Sequence, residues 1–282
     1  MRATDSPVVV GVGERQPSVL RYAALEARRQ RRPLRVVHSY GLPPQVADMY
    51  LGDPAIVEQL RAAGQTVLDD ARQVVQDVDA TLSAEYVLSA RAPLETLQGE
   101  ALQAYLLVLG ADDVAWLDRL LRTRIAGHLA QHAPCPVVIV PDQELSTGPG
   151  VEVVVMVEGV TSAASTFGLA FEEADARDCP LHVLHATPPG TPAAAAATAR
   201  AKVVEELARW RRRYPDLAVL EGNAPHAASV TAVRAIRSAA LVIVARPRNR
   251  QLPMTFSRPL AIEVLKRAHC PVAIVPAGPA HP

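Results

Sequence analysis

Ala133-Pro-Cys-Pro-Val-Val-Ile-Val-Pro141 returns 135 residues later as Ala268-His-Cys-Pro-Val-Ala-Ile-Val-Pro276, with seven of the nine positions identical. A match of this quality within one chain is the mark of an internal repeat, and a repeat governs the reading of everything else. Working towards the N-terminus, Leu106-Leu-Val-Leu-Gly110 corresponds to Leu241-Val-Ile-Val-Ala245 at the same offset. Leu34-Arg-Val-Val-His38 corresponds to Leu181-His-Val-Leu-His185 at an offset of 147, and Val8-Val-Val-Gly-Val-Gly-Glu14 to Val153-Val-Val-Met-Val-Glu-Gly159 at 145. The order is the same in both halves, so the chain is a duplicated domain. The change of offset puts extra residues in the first copy after its second matched block, and Gly41 to Asp53, with Pro43, Pro44 and Gly52 as breakers, is the expected longer loop.

Each matched block is a short, unbroken apolar run rich in β-branched residues. Such runs are strands buried on both faces, as in a parallel sheet covered by helices. Helical spacing fills the intervals. In the first copy the helices are expected over Ser18–Arg31, capped by that serine, and over 54–78, 94–103 and 117–132. In the second they are expected over 162–177, 193–213, 227–238 and 259–268. Strand and helix alternate throughout, which predicts an α/β fold of two tandem doubly wound parallel-sheet domains. The expected division is residues 1–145 and 151–282, with 146–150 as the linker. Each copy closes on an apolar strand flanked by proline, and an exposed edge of that kind is adhesive. Pairing of the two last strands, an internal pseudo-dimer, is the simplest remedy; burial of each edge against its own helices is the alternative.

The 282 residues carry 29 basic and 29 acidic side chains, which argues against a chain that coats nucleic acid. The neutrality conceals a split: 14 basic and 18 acidic residues stand before residue 147, and 15 and 11 after it. Opposite charge would draw the halves together, weakly, because salt screens exposed charges beyond about 10 Å. The three cysteines, Cys135, Cys179 and Cys270, form no Cys-x-x-Cys pair, so a disulfide framework or a structural zinc is not expected and a reducing compartment is. No apolar run approaches the ~18 residues of a membrane span. A soluble, cytoplasmic protein is the expectation.

Both copies together resemble the universal stress protein family in its tandem form. The likeness rests on the first strand with its turn, the Val-Val-His second strand, the apolar fourth strand and the Ala-x-Cys-Pro-Val-x-Ile-Val close. It implies a Rossmann-like fold of the adenine-nucleotide alpha-hydrolase kind. Nucleotide-binding members of that family carry an Asp after the first strand and Gly-x2-Gly-x9-Gly-(Ser/Thr) after the fourth. Such glycines let backbone approach phosphate oxygens, and the next helix offers oriented N–H groups. In this chain the Asp position reads Gly13 in the first copy and Glu158 in the second. The phosphate positions read Gly110, Asp113, Thr123 and Arg124, then Ala245, Arg248, Arg258 and Pro259. One glycine of six survives. Asp112 and Asp113 would also repel phosphates, since unit charges 4 Å apart interact by about 4 kcal/mol at an effective dielectric near 20.

The resemblance therefore implies a stress-associated regulatory or scaffold module, without catalysis, in which ATP binding of the family's usual kind is lost from both copies. It implies no resident cofactor, an unidentified protein partner, the pseudo-dimer with the option of a further homodimer, and no nucleic acid or membrane. Any ligand would sit at the strand ends, at Gly11, Gly13, Val37, Gly110, Glu158, Ala245, Arg246 and Arg248. Arg246, Arg248 and Arg250 bring three cations to one loop able to fork onto an anion, or to stay solvated. Two rivals stay open: an ATP- or AMP-binding sensor of the same family, and a nucleotide hydrolase. The second is weakened because no phosphate loop, His-Glu-x-x-His or Gly-x-Ser-x-Gly motif occurs. His128 and His132 have metal-binding spacing but no evident third ligand, and no metal is expected. His38, His185, Cys135 and Cys270 read as packed structural residues, and Trp116 and Trp210 as anchors at helix–sheet or domain contacts.

Overall fold

The computed structural model describes residues 6–13, 16–42, 53–111, 125–141, 151–187, 190–224, 229–246 and 260–276. The chain divides into two compact units, Met1–Glu144 and Leu145–Pro282. The expected linker, Asp112, Asp113, Trp116, Thr123 and Arg124, and Arg248, Arg250, Arg258 and Pro259 all lie outside the described residues.

In the first unit the strands are β1 (Val8–Gly11), β2 (Leu34–Ser39), β3 (Ala84–Ser89), β4 (Leu106–Ala111) and β5 (Val137–Pro141). They form a parallel ladder in the order β3-β2-β1-β4-β5. In the second unit β6 (Glu152–Val157), β7 (Leu181–Ala186), β8 (Val219–Ala224), β9 (Ala239–Ala245) and β10 (Val272–Val275) repeat it as β8-β7-β6-β9-β10. Register is conserved between the copies along the strand interiors, with a β-bulge between Glu152 and Val153 at the start of β6. Val8 faces Leu34 and Leu106, and Val153 faces Leu181 and Leu241. The central strands are buried on both faces, Val8, Val9 and Val10 completely, as their continuous apolar runs require. The outer strands β3 and β8 are only half covered.

The described helices are α1 (Pro17–Arg29), α2 (Pro54–Val78), α3 (Pro93–Ala101) and α4 (Ile125–His132) in the first unit. The second has α5 (Val160–Ala176), α6 (Ala193–Arg213), α7 (Val230–Ser238) and α8 (Leu260–Leu265). The expected serine cap of α1 is not used. Gln16 is the capping residue, makes no side-chain cap bond, and is followed by Pro17 in the first turn. Proline's fixed φ suits that position and it has no N–H to satisfy, so the cap sits at 16, two residues before Ser18. The 12 extra residues of the first copy fall between β2 and β3, and not in the loop alone. The connection from β2 to α2 is longer than that from β7 to α6, and α2 itself has 25 residues against 21 in α6. Both first helices end alike, with Arg31 at φ 51° and Asp178 at φ 50° and the next amide returning to Ala27 O or Ala174 O. That is the hydrogen-bond pattern of a Schellman close, here made without glycine.

Trp210 lies helix to helix. Its ring stacks on Phe171 of α5 with centroids 5.7 Å apart, and Tyr214 lies 5.4 Å from the same phenyl. The Ala-rich start of α6 offers no large side chain, so its buried contact is made by Val203, Leu207 and Trp210 further along.

Candidate functional site

A doubly wound sheet leaves a crevice where the chain leaves neighbouring strands in opposite directions, here beyond the C-terminal ends of β1 and β4 and of β6 and β9. In the first unit this is a cleft of about 190 Å3. Gly11, Gly13, Val37 and Gly110 line it, so four of the expected site residues come together. Leu97 of α3 and Leu109 of β4 form its apolar wall. A carbon added to Gly11 would stand 2.9 Å from Leu97 Cδ2, and the missing side chain is what lets α3 press on the strand end.

Gln16 is the residue that sequence reading missed. It lines the same cleft, and its Oε1 accepts a hydrogen bond from the Gly13 N–H at 3.2 Å. Its Nε2 lies over β4: a carbon added to Gly110 would stand 2.9 Å from that nitrogen and 3.2 Å from Val19 Cγ2. The amide thus spans the crevice from one strand end to the other, above the surviving phosphate-position glycine. Position is the signal that could have found it, since the residue before a helix-opening proline in a doubly wound fold stands at the crevice. His38 closes the far side, its Nδ1 2.9 Å from Val12 O, a structural bond at the end of β2.

The second unit closes the crevice differently. Its cleft measures about 40 Å3 and is roofed by Ala196, Ala199, Arg200 and Val203 of α6. Glu158 lines it together with His185, Thr187 and Thr191. Glu158 is solvent-accessible as a residue, yet the cleft walls desolvate its carboxyl and push its pKa above the ordinary range. Its N–H donates to Ser162 Oγ at 2.9 Å, and that hydroxyl donates to Gly159 O at 2.8 Å. His185 is buried and its Nε2 lies 3.5 Å from Glu221 Oε2. Its pKa is lowered, first by burial and then by the Arg200 charge, against the pull of Glu221. Burial therefore favours the neutral imidazole. Ala245 and Arg246 stand at the end of β9, apart from the residues lining this cleft, and Arg246 N–H donates to Val275 O at 2.7 Å.

Neither cleft assembles, from described residues, a nucleophile with a base and an orienting group. His128 Nε2 meets the Gln98 amide at 3.0 Å and His132 Nδ1 lies 2.9 Å from His128 O. Among the described residues no three His, Cys, Asp or Glu side chains gather as a metal would need. Burial pushes the Cys270 thiol up to about 12, so it stays protonated, and Cys135 is buried as well.

Comparison with known proteins agrees with the repeat. The model of the Universal stress protein family matches residues 6–141 and again 152–276. Universal stress protein Rv2623 of Mycobacterium tuberculosis is 31% identical over 233 residues, covering 75% of this chain and 76% of its own length. Universal stress protein Rv2028c of the same bacterium is 26% identical over 272 residues, 95% of each. Among solved structures, a universal stress protein from Archaeoglobus fulgidus DSM 4304 shares the fold with a TM-score of 0.72 over 95% of both chains, at 15% identity.

Proposed function

The chain belongs to the universal stress protein family, with two copies of its domain in tandem, and on that footing we propose that it is a non-catalytic regulatory or scaffold module that does not take ATP in the family's usual way. The observation that carries this reading is the Gln16 amide, lying between Gly13 and Gly110 in the cleft of the first unit. Cleft size supports it. Pockets that enclose a drug-sized ligand run from about 300 to 1,000 Å3, against about 190 Å3 here and about 40 Å3 in the strand-end cleft of the second unit. The open hollow of about 490 Å3 along α6, lined by Val160, Ala195, Thr198 and Lys202, includes none of the expected strand-end positions. Chemistry supports it too. Gly13 offers no carboxylate to a ribose hydroxyl, and the carboxyl that Glu158 does offer is desolvated and crowded by the side chains of α6.

A cytoplasmic location belongs to the same proposal. No described helix is long and apolar enough to cross a membrane. Pairing of the two copies through their final strands also belongs to it, on the strength of the apolar, proline-flanked sequences 137–141 and 272–276.

Thermal unfolding of the full chain with ATP, ADP, AMP and cyclic AMP, with and without magnesium, tests the reading. A ligand at 100 times its dissociation constant stabilises the folded state by about 2.7 kcal/mol, a readily measured shift. The expected result is no shift with any of them and no phosphate release above buffer. A magnesium-dependent rise with ATP would make the protein a nucleotide sensor instead, and phosphate release would make it a hydrolase.

A further inference from the structure

We propose that Gln16 is a built-in occupant of the first unit's cleft, the residue that sets its specificity by standing where a phosphoryl group would make its backbone contacts. The inference rests on the reading that wild-type protein does not take ATP, and it names the side chain responsible in this unit. Three observations converge on it. The Gly13 N–H, a backbone donor at the strand end, already donates to Gln16 Oε1 at 3.2 Å and is closed to any anionic oxygen. Gly110, which would let such an oxygen approach the backbone, has the Gln16 amide nitrogen 2.9 Å from where its side chain would begin. The rest of the cleft remains open at about 190 Å3, walled by Val37, Leu97 and Leu109. Gln16 therefore competes for the polar strand ends, while the apolar part of the cleft is left as it was.

The competition is intramolecular, so the amide adds to the missing glycines and the acidic Asp112 and Asp113 in excluding a phosphoryl group. The side chain is held at the start of the 13-residue α1, where its carbonyl accepts from the Gly13 N–H at the crevice. A bound phosphoryl group must displace it and pay the entropy of its own association, whereas the amide is already in place. Once the amide is gone, the Gly13 N–H and the N-terminal end of α1 face the cleft together, an arrangement that favours anionic oxygen.

Gln16→Ser is the decisive variant, because serine is a favoured helix cap and shortening the side chain removes the amide without weakening α1. Gln16→Ala serves as the second variant. Binding of magnesium-ATP, ADP and adenosine to the full chain is measured by titration calorimetry, with circular dichroism and melting temperature as checks of folding. Both variants are expected to bind magnesium-ATP and ADP at least tenfold more tightly than wild type, with adenosine changed less than threefold. Adding Gly110→Ala to Gln16→Ser should then abolish the gain, because the new methyl group refills the space against Val19. Folded variants that bind magnesium-ATP no better than wild type would overturn the role of Gln16 while leaving the loss of binding intact. Equal gains for adenosine and ATP would show mere enlargement of the cleft and would also overturn it. Tight binding by wild type itself would instead refute the reading on which the inference rests.

Discussion

At the end of β1 the chain writes Val12-Gly13 and closes the crevice with an amide from the start of α1. At the matching end of β6 it writes Val157-Glu158 and closes the crevice with the side chains of α6. The ladders beneath match in register from Val8 and Val153 onward, the β-bulge at Glu152 lying at the far end of β6, so the difference at the crevice does not come from the sheet. It comes from connections and helix faces, the parts of an α/β unit that change without disturbing a core of Val, Leu and Ile. The same contrast recurs inside the first helices. Glu26 in α1 and Glu173 in α5 are equivalent by the repeat and both fully buried. Glu26 receives the neutral Gln30 amide at 3.3 Å and has Arg29 only at 3.9 Å. Glu173 is bound by the Arg177 guanidinium, itself 6% exposed. Duplicated positions have kept a buried carboxylate and changed what answers it.

The largest test of this contrast removes the answering group. Breaking a buried ion pair leaves an uncompensated charge and costs about 3–5 kcal/mol, whereas loss of a hydrogen bond to a charged group from a neutral donor costs about 1.5–3 kcal/mol. Arg177→Met should therefore destabilise the second unit by about 3–5 kcal/mol, and Gln30→Met the first by less than that. Urea unfolding followed by Trp210 fluorescence in a Trp116→Phe background reads the second unit, and circular dichroism reads the whole chain. Equal losses at the two positions would mean that the buried carboxylates are held by the same means after all.

The second test is the acid limb of stability. The folded pKa of His185 is lowered, so its contribution is present above the unfolded value of about 6.5 and is lost as pH falls through the lower folded value. The second unit should lose stability below about pH 6.5, and His185→Gln should flatten that decline while leaving neutral-pH stability little changed. An unaltered slope in the variant would remove His185 from the account and leave the decline to carboxylates.

Much of the fold was legible because the repeat multiplied a weak signal. One apolar run is ambiguous between strand and helix, but four pairs of runs in the same order are not, and their offsets even placed the inserted residues within one connection. β3 and β8 gave no such signal. As outer strands they are half exposed, so Glu85 and Glu221 interrupt their apolar pattern. Of the crevice, the backbone positions Gly11, Gly13, Val37 and Gly110 were legible, since topology alone puts them at the strand ends. Gln16 and Arg200 were not. Their roles depend on where α1 begins and on which face α6 turns to the sheet, and neither residue type advertises a crevice.

The smallest effect concerns Glu158, and it separates the two clefts most directly because Gly13 stands in its place in the first unit. Its carboxyl pKa is raised by desolvation, so the folded state favours the protonated form. The associated stability is present below the ordinary glutamate value of about 4.3 and is lost as pH rises through the raised folded value. At neutral pH the ionised carboxylate is thus a burden, though a light one, because the residue is accessible to solvent and water screens it. Glu158→Gln should be more stable than wild type at pH 7 by well under about 1 kcal/mol, and the advantage should vanish near pH 4. Melting curves of both proteins across that interval measure it. An advantage that persists at pH 4 would mean that the gain comes from packing against α6 and not from charge, and the second cleft would then be closed by shape alone.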